Sequence, residues 1–262
     1  MREICDDLTA EHEALEGVVG GLPTADWDRA TPAADWSIRD SISHLWFFDQ
    51  RARLALSPET VADYHDDTAK LMAAIGTGVD PSVEAGRVIT PGELLEGWRS
   101  ERRPLVDLAR TVDPSARIPW YGPAMAARSF LTARLMETWA HGQDVRDALG
   151  LQPEVSLRLK HIAHIGVRAR PFAYATNHRS SPEGDVRVEL HAPDGSVWTW
   201  GEEGATDRVT GTALDFCLLV VQRRHLTDTA LVAEGAAAHE WLGIAQAFAG
   251  PPGEGRAAGA FR

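Results

Sequence analysis

Apolar side chains recur at helical spacing through most of the first 150 residues. Residues 3–20 follow this pattern until Gly20, and Ser37 is a suitable N-cap for a second helix that runs to about Leu56. One face of that second helix is apolar and consists of Ile38, Ile42, Leu45, Phe48 and Ala52. Because a helix buries such a stripe against its neighbours, the pattern predicts a bundle of packed helices.

Three further helices are predicted before residue 150. One covers about 58–75, and the turn-rich segment GTGVDPSVEAGR separates it from another that begins after Thr90. We expect Pro104 to kink or break the helix that begins after Thr90, because proline removes a backbone donor. The third covers about 124–149 and ends at Gly150, which suits the position just after a helix.

The pattern changes in the last part of the chain, where strand signals join the helical ones. Residues 156–176 predict a helix that is broken near Pro171. Between 185 and 200 the chain alternates as DVRVEL and VWTW on either side of Pro-Asp-Gly, which indicates a β-hairpin near 185–200. Residues 212–223 and 236–248 are again helical in pattern.

The two patterns predict two domains and a mostly α fold. A helical bundle is expected over residues 1–152, and a small α/β (α+β) C-terminal domain with the β-hairpin is expected over 153–262.

Composition and charge exclude several classes of function. The 262 residues carry a formal net charge of −12, so phosphate backbones repel the chain and nucleic acid is not an expected partner. Cys5 and Cys217 are the only cysteines, which indicates a reducing compartment rather than a disulfide framework. The N-terminus has no apolar signal core, and no stretch approaches the length of a membrane span. We therefore expect a cytoplasmic protein without membrane contact.

Candidate chemistry lies in the long helix RLMETWAHGQDVRDALG. Glu137 and His141 are four residues apart and project from one inward stripe, where ionisable groups must be paired or ligated. A third ligand can come from His44 on the second helix, since bundle cores build metal sites from facing helices. Two imidazoles and one carboxylate suit zinc with an open fourth position, while nickel, iron(II) and manganese stay open.

Two segments carry a family resemblance. DWSIRDSISHLWFFD, around His44, resembles the Trp-Ser/Thr-Val-Arg-Asp-x-x-x-His-Leu signature of the DinB-like metal-binding bundles, in particular the mycothiol-dependent maleylpyruvate isomerase group of actinobacterial proteins. The segment around Glu137 and His141 resembles the second signature of that group, Glu-x-x-x-His-x-x-Asp, closing with Ala-Leu-Gly. The resemblance covers residues 1–150 and is fainter over 155–262.

The resemblance implies a four-helix bundle that holds one divalent metal ion through His44, Glu137 and His141, with mycothiol as the thiol cosubstrate. In such enzymes the metal lowers the pKa of the thiol, and the thiolate attacks a small electrophilic substrate. The outcome is isomerisation or S-transfer. Asp144 is expected to orient His141 from behind, through the second ring nitrogen.

The resemblance also implies a catalytic arginine from the second domain. Arg223 or Arg224, in VVQRRH, is the nearest match, but Val-Gln-Arg-Arg replaces the usual Leu-x-Gly-Arg, which argues against maleylpyruvate itself as the substrate. A homodimer is a possibility that rests on analogy with other bundles of this type. Two alternatives stay open, namely a metal-dependent hydrolase on the same bundle and a non-catalytic module that binds metal or a small molecule.

Overall fold

The computed structural model describes residues 1–76, 78–121 and 124–261. The chain divides into two compact units, an N-terminal unit, Met1–Glu154, and a C-terminal unit, Val155–Arg262. None of the helices within the described ranges combines the length and the hydropathy that a membrane span needs.

The N-terminal unit is helical apart from one short ladder. Its helices are α1 (Arg2–Val19), α2 (Ile38–Leu56), α3 (Val61–Ile75), α4 (Pro81–Arg87), α5 (Pro91–Ala109) and α6 (Ala127–Leu149). Two two-residue strands, β1 (Arg117–Ile118) and β2 (Met125–Ala126), pair antiparallel. Helix α2 packs against α5 and α6, and α1 packs against the same two helices, so these four form the predicted bundle.

Local signals set where the main helices begin and end. Ser37 caps α2 in a capping box, in which its hydroxyl accepts from the backbone of Asp40 and the Asp40 carboxylate accepts from the backbone of Ser37. Thr90 caps α5 in the same way. At the end of α6, Gly150 adopts the left-handed conformation with φ of 67°, which glycine takes without strain. These predicted termini are confirmed.

The stretch between α2 and α5 departs from the predicted pattern. Helix α3 begins at Val61 rather than at residue 58, because a turn intervenes after α2. The turn-rich segment that follows contains helix α4, whose first turn is capped when the Asp80 carboxylate accepts from the backbone of Ser82. The prediction of turns alone was wrong, since Asp-Pro-Ser at 80–82 also starts a helix.

Pro104 was predicted to kink or break α5, and the break does not occur. The helix continues through this residue to Ala109. Trp98 before the proline and Leu105 after it are both fully buried in the bundle. Packing on both sides of the proline therefore keeps the chain helical despite the lost backbone hydrogen bond.

The core of the bundle is apolar and lies between its four helices. The side chains that form it share almost complete burial and include Leu15, Ile38, Ile42, Leu45, Leu94, Trp98 and Val145. Each such side chain contributes roughly 1.5–3 kcal/mol by leaving water. This packing holds α2 and α6, which carry the candidate ligands, in fixed register.

The C-terminal unit contains helices and one mixed sheet. In chain order it consists of α7 (Leu159–Arg168), α8 (Arg170–Thr176), β3 (Val186–His191), β4 (Val197–Trp200), β5 (Asp207–Thr212), α9 (Ala213–Val220), β6 (Val232–Glu234) and α10 (Ala236–Leu242). The strand order is β4-β3-β5-β6. The fold class, a mostly helical first domain followed by a mixed one, is confirmed.

The predicted hairpin is formed by β3 and β4, which pair antiparallel with Leu190 opposite Trp198. Strand β5 lies parallel to β3, and β6 completes the sheet antiparallel to β5. Sequence reasoning missed both of these strands. Strand β6 has only three residues, and β5 carries polar side chains and Gly211, so neither shows a clear alternation.

Candidate metal centre

Helices α2 and α6 bring the three predicted ligand residues together. One ligand atom from each of His44, Glu137 and His141 can be chosen so that all lie within 4.8 Å of one another. The Glu137 Oε2 atom is 3.8 Å from Nε2 of His44 and 3.5 Å from Nε2 of His141. The helical spacing of α6 aligns Glu137 with His141, and the packing of α2 on α6 adds His44.

The outward nitrogen of His44 is held by helix α4. Its Nδ1 lies 3.1 Å from Oγ of Ser82, and that hydroxyl donates to Oδ1 of Asp80 at 2.6 Å. Because the serine proton is committed to Asp80, the serine oxygen accepts from Nδ1–H of His44. With its proton on Nδ1, the ring would offer the Nε2 lone pair to a metal ion bound beside Glu137, which is the tautomer a metal ligand needs.

The outward nitrogen of His141 is placed in the same way. Its Nδ1 lies 3.4 Å from Oδ2 of Asp144, which is fully buried. A carboxylate accepts hydrogen bonds only, so with a metal ion bound at Nε2 the ring proton of His141 would lie on Nδ1, facing Asp144. This contact places Asp144 where an orienting residue would stand; its role in binding stays a prediction.

Burial and mutual contacts set the charges of the cluster. Burial lowers the pKa of His44 to about 4, so this imidazole is neutral at physiological pH. Burial by itself would raise the pKa of Glu137, but hydrogen bonds from His141 and His44 outweigh it and hold that pKa well below the usual range. A neutral imidazole and an ionised carboxylate are the protonation states in which these groups bind a metal. The donor set therefore fits a divalent ion.

The cluster remains within reach of solvent and is framed by aromatic rings. The side chains of His44, Glu137 and His141 are 18%, 25% and 9% exposed. The indole of Trp36 stacks on His141, with centroids 5.4 Å apart and planes 15° apart. The ring centroid of Phe48 lies 4.6 Å from that of His44. Partly exposed aromatic rings therefore flank two of the candidate ligands.

A buried ion pair fixes the two ligand-bearing helices against each other. Arg134, one turn before Glu137 on α6, donates from Nη2 to Oδ1 of Asp49 on α2 at 2.9 Å. Asp49 also accepts from Nε1 of Trp98 at 3.0 Å and is fully buried. With one partner on each helix, the pair holds α2 and α6 in the register that aligns the ligands.

The predicted arginines lie in the C-terminal unit, just after α9. Arg223 donates from Nη1 to the carbonyl of Val221 at 2.8 Å, and the guanidinium of Arg224 lies 3.8 Å from the ring centroid of Phe261. Gln222, immediately before them, has φ of 59°, the conformation that a glycine adopts freely. A catalytic role for Arg223 or Arg224 stays a prediction.

Two residues of the site escaped sequence reasoning. Ser82 is 38 residues from His44 along the chain and lies in a segment that predicts turns, so no local signal connects them. Trp36 directly precedes the N-cap of α2 within the first signature, and that position was a signal that could have found it.

Comparison with known families agrees with this architecture. Residues 8–146 match the family described as "Mycothiol maleylpyruvate isomerase N-terminal domain". Residues 182–234, which contain the strands of the C-terminal unit, match a family described as "Wyosine base formation". The first match spans more than half of the chain and contains all three residues of the candidate metal centre.

Relatives and solved structures extend the comparison to nearly the whole chain. An uncharacterized protein of Mycobacterium tuberculosis, found in two strains, is 44% identical over 254 residues, which cover 95% of this chain and 96% of the relative. Two crystal structures of the mycothiol-dependent maleylpyruvate isomerase, one of them a histidine-to-alanine mutant, give TM-scores of 0.57 and 0.56 at 13% and 12% identity. They cover 88% of this chain and 92% of theirs, and at this identity the likeness concerns the fold alone. The chain belongs to the family that carries the mycothiol maleylpyruvate isomerase N-terminal domain.

Proposed function

We propose that this protein is a divalent-metal-dependent enzyme that uses a low-molecular-weight thiol, mycothiol or a similar compound, for isomerisation or S-transfer on a small electrophilic substrate. The observation that carries the proposal is the convergence of two Nε2 atoms and one carboxylate oxygen from His44, His141 and Glu137. Three protein ligands of this kind are the number that catalytic zinc sites use, with the fourth position left to substrate.

We assign a separate role to each group of residues in the site. His44, Glu137 and His141 would hold the metal, which we propose to be zinc, with nickel, iron or manganese as alternatives. A metal bound there supplies a positive charge that lowers the pKa of a thiol and favours its thiolate. Ser82 and Asp144 keep the two imidazoles turned toward the centre. Arg223 or Arg224 is proposed to bind an anionic part of the thiol or the substrate.

The first experiment is elemental analysis of the untagged full-length protein beside a His44→Ala, His141→Ala double variant. We expect about one metal ion per wild-type chain and almost none in the variant, because the remaining carboxylate alone binds weakly. Circular dichroism of both proteins provides the control for folding. Absence of metal from wild-type protein dialysed against zinc would contradict the proposed centre.

Thiol use is tested separately by thermal unfolding of the zinc-loaded protein. Ligands that bind the native state raise the melting temperature, so mycothiol at a hundred times its dissociation constant adds about 2.7 kcal/mol of stability. We expect a rise in wild-type protein and none in the double variant. A metal-loaded protein that shows no shift with millimolar mycothiol would favour the hydrolase or the binding module.

A further inference from the structure

Aromatic rings contact His44 and continue from it through Phe48 to Trp120 and Tyr121 in the N-terminal unit. We name the partly exposed members of this run, Trp36, Phe48, Trp120 and Tyr121, the aromatic wall. Phe48 contacts His44 at a centroid distance of 4.6 Å, and it lies 5.6 Å from Tyr121 and 6.2 Å from Trp120. The wall therefore begins at a metal-ligand side chain and extends outward from it.

Buried rings hold the wall in place. Trp120 stacks on Tyr64 with planes 7° apart and meets Phe130 edge to face at 4.9 Å. Both of these supporting side chains are only 1% exposed. Ring pairs of this geometry resist rotation, because each is close-packed on its neighbours. The wall is thus a preformed surface, which reduces the entropy that a ligand loses on binding.

Two arginines near the wall, Arg51 and Arg134, are paired within the N-terminal unit. Arg51, next to the wall, is paired with Asp67 at 2.6 Å and covers the ring of Phe47. Arg134 is paired with the buried carboxylate of Asp49. Burial raises the pKa of Tyr121, so its hydroxyl stays neutral. The wall itself accordingly consists of partly exposed, uncharged aromatic side chains.

We propose that the electrophile carries a neutral aromatic or flat conjugated group, which lies against the aromatic wall while its reactive carbon faces the metal centre. This inference rests on the proposed function and specifies its substrate class. A flat neutral group gains ring stacking and leaves water on Phe48 and Trp120. A dicarboxylate would bring its charges onto the same ring faces and lose hydration without gaining partners there.

The wall is tested first without any thiol. The full-length zinc-loaded protein is titrated with N-phenyl-1-naphthylamine, whose emission rises on apolar binding. Loss of one stacking ring in Phe48→Leu is expected to weaken binding about fivefold, and Phe48→Tyr, which keeps the ring, is expected to restore it. The matched control is Phe172→Leu, an exposed phenylalanine on α8 of the C-terminal unit. Equal affinity in the wild type and Phe48→Leu would overturn the inference, and circular dichroism excludes misfolding.

A second experiment separates the wall from the thiol chemistry. The cobalt-substituted protein is titrated with benzyl mercaptan and with 3-mercaptopropionate, and the thiolate-to-cobalt absorption band reports binding. Benzyl mercaptan is expected to bind about tenfold more tightly in the wild type, and the preference should fall below about threefold in Phe48→Leu. Equal binding of both thiols would overturn the inference and leave the proposed function standing. If neither thiol gives a band while the naphthylamine binds, the thiol function fails and the wall remains.

Discussion

At the scale of single residues, the site depends on side chains that do not themselves face the centre. Asp144 is buried behind His141, and Ser82 is buried behind His44. With a metal ion bound, each would fix the tautomer and the direction of one imidazole. In metal sites, such outer partners commonly account for a 10- to 100-fold difference in metal affinity, so we predict a measurable contribution from both residues.

Asp144→Asn tests this dependence. The amide keeps the shape of the side chain but removes the charge that orients Nδ1 of His141, so we expect zinc affinity to fall about 10- to 100-fold. Competition with a coloured chelator measures the change. Asp107→Asn, on the exposed face of α5, is the matched control and should leave affinity unchanged. An Asp144→Asn protein with wild-type affinity would show that Asp144 plays no part in binding.

His12 on α1 is a second residue whose burial has a measurable consequence. It faces Asp49 on α2, Arg102 on α5 and Arg134 on α6, and burial, which outweighs Asp49, lowers its pKa from 6.5 to about 4. The unfolded chain therefore takes up a proton between these values while the folded chain does not. This histidine leaves stability unaffected above its unfolded pKa and reduces it progressively as pH falls from about 6.5 to 4.

His12→Gln is expected to remove that part of the acid sensitivity. Urea unfolding at about pH 7 and about pH 5 gives the loss of stability for each protein. Between the two pH values, the wild-type protein should lose about 2 kcal/mol more unfolding free energy than the variant. The reason is that pH 5 lies about 1.5 units below the unfolded pKa of His12, and each unit corresponds to about 1.4 kcal/mol. The comparison within each protein cancels any direct packing cost of the substitution. Identical losses would mean that His12 is not held neutral in the fold.

At the scale of elements, the short helix α4 supports His44 from outside the four-helix core. It packs on α2, where Ser43 donates a hydrogen bond to the carbonyl of Ser82, and it carries that residue to His44. Gly86 allows this close approach, because a Cβ there would stand 2.5 Å from Cβ of Ser43. The close packing of α4 on α2 therefore depends on the absence of a side chain at Gly86.

Gly86→Ala should displace α4 from α2. We expect a loss of roughly 1–3 kcal/mol in stability from overpacking, together with weaker zinc binding as Ser82 moves away from His44. Urea unfolding and chelator competition measure the two effects. Gly17→Ala on α1 is the matched control, because its Cβ would meet nothing within 4 Å and alanine favours helices. Wild-type behaviour of Gly86→Ala in both assays would rule out this dependence on α4.

At the scale of the whole molecule, the candidate functional residues divide between the two units. The three candidate ligands, their outer partners and the aromatic wall all belong to Met1–Glu154, whereas the two candidate arginines belong to Val155–Arg262. The apolar core of the bundle also lies entirely within the first unit. Metal binding and the proposed contribution of Arg223 or Arg224 are therefore separable by experiment.

We expect residues 1–154, expressed alone, to fold and to bind about one zinc ion per chain. This fragment is a compact unit and retains the three candidate ligands. Elemental analysis and circular dichroism of the fragment provide the measurement. The full chain carrying Arg223→Met and Arg224→Met serves as the parallel control, with unchanged metal content. A helical fragment that fails to bind zinc would show that the site requires the second unit.

The features that the sequence determined by itself are those that depend on near neighbours in the chain. Ser37 and Asp40 start α2, Gly150 ends α6, and the four-residue spacing of Glu137 and His141 puts them on one face. Hydrogen bonds and helical geometry within one or two turns suffice for each of these. The hairpin of β3 and β4 was readable for the same reason, since Pro-Asp-Gly sits between two alternating strands.

The tertiary structure decided everything that depends on distant segments. Whether His44 meets Glu137, which residue supports its outward nitrogen, and whether Pro104 interrupts α5 all follow from packing between helices. The same is true of the aromatic wall, which gathers rings from three parts of the chain. The physical reason is that burial and close packing join residues irrespective of their separation in sequence, and their free energy outweighs local preferences such as that of proline.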